Sequence, residues 1–200
     1  MAITQITIVG GAGDEDYDIH AESVTISGNA GVVQPTWLIT RARSTWYDLV
    51  TQASAIAALD QLCDEVELTG MALVANGSGV LQNIVLTSNI LTIIAAELWL
   101  YQINPTPAGT NAVHNLSDAN NEAARPMGVI DFNSWRTTTD NMQSSGTYQG
   151  APLATGPGLS YQCLDGTATT SIWGILMTRT AVTPGATTDY NLMVTHSPGI

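Results

Sequence analysis

The chain has 200 residues, enough for one domain whose core needs neither disulfides nor metal. Only 11% of the residues are charged: five arginines, no lysine and 17 acids, for a net charge of −12. That balance argues against partners that are nucleic acids or anionic membranes, because both are held by cations set against phosphate.

Taken in chain order, residues 1–9 (Ile3, Ile6, Ile8) alternate as a short strand, and they lack the basic start of a secretory leader. Gly10 to Gly13 end it in a turn. This run falls short of a dinucleotide fingerprint, since Asp16 stands where the third glycine belongs and acids crowd the loop. Residues 23–27 and 36–41 read as further short strands. In 45–64, Trp46, Leu49, Val50, Ala53, Ile56, Ala57, Leu59 and Leu62 recur mostly at steps of three and four. That spacing predicts one amphipathic helix in the N-terminal half, capped by Ser44 or Thr45.

Strand texture follows in 66–75, 79–87 and 90–103, parted by Asn76-Gly77-Ser78 and Ser88-Asn89; Asn-Gly is a strong hairpin signal. The 90–103 run is the most apolar, yet it is short and carries Glu97, so no membrane span is expected. Pro105 and Pro107 end it, and one helical turn is expected to start at Ser117 in the long connection that follows. Residues 128–132, a polar loop at 133–158, and strands at 159–164, 171–180 and 189–195 complete the chain. Many short strands with long crossing loops predict a mainly β fold, a jelly-roll-like antiparallel β-sandwich. The expected organisation is 1–65 for N-terminal strands, arm and helix, packed on the sandwich or on a neighbour, and 66–200 for the sandwich.

Chemistry-bearing patterns are sparse. Asp14, Asp16 and Asp18 have the alternation of a calcium loop, but Ile19 and Thr25 stand where an EF-hand needs Gly and Glu. They remain a weak calcium candidate beside the plainer reading of a solvated acidic loop. There is no G-x-S-x-G, P-loop or HExxH, so no catalytic residue, cofactor or enzymatic activity is expected. His20, His114 and His196 lie far apart and read as loop or surface residues. Cys63 and Cys163 belong to no CxxC pair and read as free, half-buried thiols, with one bridge between them as the alternative. Trp99 and Trp173 lie in apolar runs and read as core. Trp37 and Trp135 sit beside loops and arginines and are free to face a partner.

From Gly70 to Val194 the chain resembles tailed-bacteriophage virion proteins, in particular jelly-roll capsid decoration (cement) proteins. The matching stretches include Gly77-Ser78-Gly79-Val80-Leu81-Gln82-Asn83, Ala96-Glu97-Leu98-Trp99-Leu100-Tyr101 and Thr110 to Ala119. Gly128 to Phe132, Ala151-Pro152-Leu153, Tyr161-Gln162-Cys163, Ile172 to Leu176 and Val182-Thr183-Pro184 continue the series. Order and spacing carry this likeness, and the first 65 residues lie outside it.

The resemblance implies a non-catalytic protein on the outer capsid surface of a virion, made in the host cytoplasm. It would bridge major capsid protein subunits, often as a homo-oligomer, a trimer or a dimer. Arginine suits interface carboxylates through its planar fork of donors. Trp37, Arg41, Arg43, Trp46, Trp135 and Arg136 are therefore the candidates for capsid or oligomer contact. The alternatives are another virion component (head-vertex, neck or tail) or a glycan- or receptor-binding module.

Overall fold

Strands with one wet face alternate inward and outward side chains, and the last strand of this chain shows that alternation without a break. Tyr190, Leu192, Val194 and His196 are buried, whereas Asn191, Met193, Thr195 and Ser197 between them are only partly so. The computed structural model describes residues 42–107, 109–148, 151–152, 158–166 and 169–199, all within one compact unit, Thr40–Ile200. The expected strands at 1–9, 23–27 and 36–41, the glycine turn and the acidic loop lie outside the described residues.

The strands are β1 (Arg43–Leu49), β2 (Val66–Leu68), β3 (Ser78–Ser88), β4 (Ala96–Tyr101), β5 (Pro126–Phe132) and β6 (Trp135–Thr137). They continue with β7 (Met142–Ser145), β8 (Thr147–Tyr148), β9 (Ala151–Pro152), β10 (Leu159–Gln162), β11 (Ile172–Thr178) and β12 (Tyr190–Pro198). One helix, α1 (Asp118–Ala124), is described. One sheet runs β1-β12-β3-β7-β6, with β10 also paired to β3; the other runs β2-β11-β4-β5-β8-β9.

All described pairings between strands are antiparallel. Within them, β1-β12-β3-β7 faces β2-β11-β4-β5, and the chain crosses between sheets at nearly every step. That is the jelly-roll order of eight strands, as the strand texture predicted. The sandwich core is one apolar cluster drawn from both sheets, including Leu49, Leu68, Ile84, Leu98, Ile130, Phe132, Leu176 and Leu192.

Three expectations are corrected. Residues 45–64 form no helix: β1 occupies the first part, Thr51 then bridges Cys63 within the segment, and Ile56, Asp60 and Gln61 make isolated bridges to Val182, Val113 and Met177. Inward positions are Tyr47 and Leu49, while Trp46 and Val50, expected on the helix's apolar stripe, are exposed. The open edge of β12 accepts this β-prone Thr-Trp-Tyr run, and long-range pairing overrides the helical period.

Asn76-Gly77 makes a turn, with Asn76 at φ +56°, but no hairpin, because β2 and β3 lie in different sheets. The polar loop expected at 133–158 contains β6, β7, β8 and β9. β3, β5, β10, β11 and β12 fall where expected, whereas the runs expected at 66–75 and 90–103 are strands only over β2 and β4. Ser117 caps α1 by accepting a hydrogen bond from the Asn120 amide.

Candidate functional site

The two outer sheet faces differ in what covers them. Over the β2-β11-β4-β5 sheet, Trp99, Tyr101, Trp173 and Ile175 project outward and are closed over by Leu116 and Ala124. Backbone bonds from Gln102 and Ile103 to Arg125 and Ala124 hold α1 there. The ring of His114 lies 5.2 Å from that of Trp99, and its Nε2 is 3.4 Å from the Tyr101 hydroxyl. Burial lowers the pKa of this histidine. The tryptophans read as core thus belong to a small second core outside the sandwich, each partly exposed.

Next to that core, Arg179 grips Glu97 with two bonds of 2.5 and 2.7 Å, and the Trp99 indole donates to the same carboxylate at 3.0 Å. Asp131 stands opposite Glu97 on β5. Desolvation first, and then the charge of Glu97, push its pKa up, while Arg179 pulls it down.

The β1-β12-β3-β7-β6 sheet has no described element over its outer face. Residues directly opposite on neighbouring strands share a face, so the register defines rows across it. One row reads Asp48, Asn191, Thr87, Gln143, Arg136; the next reads Trp46, Met193, Val85, Ser145; a third reads Ser44, Thr195, Asn83. Trp46 is 59% exposed, beside the partly buried Met193 and the buried Val85. Around this apolar strip the side chains are Ser, Thr, Asn and Gln, with Ser44 bonded to Thr195 and the Asn191 amide positioned to donate to Asp48. Of twelve acidic residues described, Asp48 is the one in these rows. Beside it, a groove of about 460 Å³ opens between β1 and β2, lined by Trp46, Asp48, Val50, Asp64, Glu65 and Glu67 among others.

The six contact candidates separate here. Trp46 and Arg136 share the outer face but stand on its opposite edge strands, four strand steps or ~19 Å apart. Trp135 points inward, packs on the core and donates its indole N–H to the Ile94 carbonyl at 2.5 Å. Arg43 is exposed at the start of β1, opposite His196. Trp37, Arg41, Asp14, Asp16 and Asp18 lie outside the described residues.

His196 is not a surface residue: it is 1% exposed, inside β12. Sequence reading missed Met193, Val85, Asn191, Thr87 and Gln143, although the alternation along 190–195 carried the signal. Chemically the face offers an aromatic platform, neutral polar groups and one charge of each sign at its ends, which is equipment for binding. No group of three or more metal-ligating side chains occurs among the described residues, and no described helix is long and apolar enough to cross a membrane.

Comparison with protein-family models and with curated proteins finds no match. Among solved structures, the chain is similar to a chain in the native virion of Kashmir bee virus at acidic pH. Identity is 13%, with 96% of this chain and 81% of that chain covered, at a TM-score of 0.25. So low a score carries no argument, and the sandwich rests on its own strand pairing.

Proposed function

We propose that this chain is a non-catalytic virion protein that binds the outer surface of a tailed-phage capsid. There it bridges and stabilises major capsid protein subunits, as a homo-oligomer. The observation that carries the reading is where the resembling stretches fall in the fold. Ala96 to Tyr101 is β4, Gly128 to Phe132 lies in β5, and Ile172 to Leu176 lies in β11. Thr110 to Ala119 is the segment that covers the second sheet and caps α1.

These stretches are the framework of a jelly roll, an architecture that viral capsid domains share with other protein classes. Charge supports an outside position, because packed DNA inside a shell would repel a chain of net charge −12. Cementing needs only several modest contacts made at once, since linked contacts act at high effective concentration.

The test is co-sedimentation with empty shells of the phage whose genome encodes the chain, followed by thermal disruption of the shells with and without it. Saturable binding at many copies per shell with a raised disruption temperature is expected. Absence of both would remove the reading, and binding at only a few copies would move the protein to a vertex, neck or tail.

A further inference from the structure

We infer that the outer face of the β1-β12-β3-β7-β6 sheet is a two-fold interface with a second copy of this chain, Asp48 of each copy meeting Arg136 of the other. The inference rests on the homo-oligomer part of the reading above, and it is independent of any contact with a shell.

Charge placement is the argument. Asp48 and Arg136 occupy the two ends of one row, on the two edge strands, with Asn191, Thr87 and Gln143 between them. Both are exposed, and no ion pair engages either among the described residues. In a face-to-face pair, a two-fold axis parallel to the strands and passing over β3 maps each row onto itself with its ends exchanged. Every Asp48 then stands over the second copy's Arg136, and the complementarity occurs twice, as an isologous contact requires. Thr87 and Val85, at the middle of their rows, lie next to their own counterparts.

The second row ends at Ser145 on β7, one strand short of the edge, because β6 spans only Trp135–Thr137. That shortfall leaves room for the Trp46 ring of the opposing copy. Two sheets of the same hand of twist pack well when nearly aligned, as in the interior of any sandwich. The footprint, roughly 24 by 20 Å, covers on the order of 1,000 Å² over both copies before side-chain relief, the size of a weak, reversible contact.

A second copy fits better than an unrelated protein, since a self-complementary row requires no independent surface with matched spacing. Of the twelve described acids, nine lie at least partly exposed on the other described surfaces, and Asp60 and Asp189 are buried, so pairing through those surfaces would set acid against acid. This face avoids that repulsion and supplies the attractive pair.

Sedimentation equilibrium of the full chain without shells, at micromolar concentration and low salt, tests the proposal. A dimer is expected, and Asp48→Arg and Arg136→Asp should each weaken it by about tenfold or more. Asp48→Arg combined with Arg136→Asp should restore it to near the starting affinity. The two single variants change net charge in opposite senses, so a mere charge effect would move the affinity in opposite directions and overturn the proposal. A monomer at all concentrations, or an oligomer indifferent to both single variants, would also overturn it.

Native near-ultraviolet spectra guard against misfolding. Thr87→Cys gives a charge-independent check, because a short bis-maleimide should link two copies across the axis, and the absence of linked dimer counts against the interface. Failure of shell binding with the dimer intact would remove the capsid reading alone.

Discussion

His196 Nε2 stands 3.1 Å from the Gly70 carbonyl oxygen, while its Nδ1 is buried without a partner. A carbonyl can only accept, so Nε2 carries a proton, and burial disfavours the second, charging proton on the unpartnered Nδ1. Two neighbours complete a clamp: Tyr47 donates to Thr69 O at 3.1 Å and Tyr161 to Met71 O at 2.5 Å. Three successive carbonyls at the start of the β2–β3 crossover are thereby held by side chains from β1, β12 and β10. Burial, with a contribution from the Arg43 charge, lowers the pKa of His196 despite the bond to Gly70.

A histidine whose folded pKa lies below its unfolded value lets the unfolded chain take up the proton first. Stability is therefore complete above the unfolded value, about 6.5, and falls as pH drops through the interval toward the folded value. The melting temperature should decrease between pH 7 and pH 5. His196→Gln, whose amide N–H can replace Nε2–H without titrating, should reduce that decrease; His114 accounts for part of the remainder. An identical pH dependence in the variant would refute the clamp's role.

Arg179 neutralises a pair of carboxylates, Glu97 and Asp131, that face each other across β4 and β5. Arg179→Met should cost about 1 kcal/mol in urea unfolding, because like charges directly opposite on a sheet repel and the bridge is partly exposed. Added salt should recover part of the loss by screening. A variant as stable as the parent at low salt would show that solvent already screens the pair.

Between β7 and β8 the chain passes from one sheet to the other at Gly146, whose amide donates to Ile84 O at 2.7 Å. A Cβ there would overlap Ile130 Cγ2 and press on the Phe132 ring at 3.3 Å. Gly146→Ala should therefore destabilise the sandwich by about 1–3 kcal/mol, as overpacking does. Chemical denaturation measures it, and an unchanged midpoint would contradict the tight corner.

Cys63 and Cys163 are free and buried, not half-buried as their sequence context suggests. Burial raises both thiols, Cys63 to about 12 and Cys163 to about 11, so little thiolate forms near neutrality. A thiol reagent at pH 8 should modify neither in the folded protein and both in denaturant. Rapid labelling of the native chain would indicate that the core opens around them.

Legibility followed the range of the interactions. Strands with strict alternation, such as 190–195, and the Ser117 cap were readable because neighbours within a few residues determine them. The segment after Ser44 was misread because its apolar spacing fits a helix, while its actual partners are the distant β12 and β11. Trp46 and Arg136 were named as contact candidates from residue type alone. Their placement at opposite ends of one face could not be read, since register and sheet order are properties of pairing across the whole chain. Trp135 was assigned to a surface, yet the sandwich turns it inward to the Ile94 carbonyl.

By itself the sequence determined the class of fold, the low and negative charge, and the positions of β3, β5, β10, β11 and β12. These depend on composition and on alternation with a period of two, both local quantities. Tertiary structure alone decided the jelly-roll order, the covering of one outer face by α1, and the row from Asp48 to Arg136 across the other. Those features arise when strands far apart in sequence complete each other's backbone hydrogen bonds, and no single stretch of residues encodes which edge it will find.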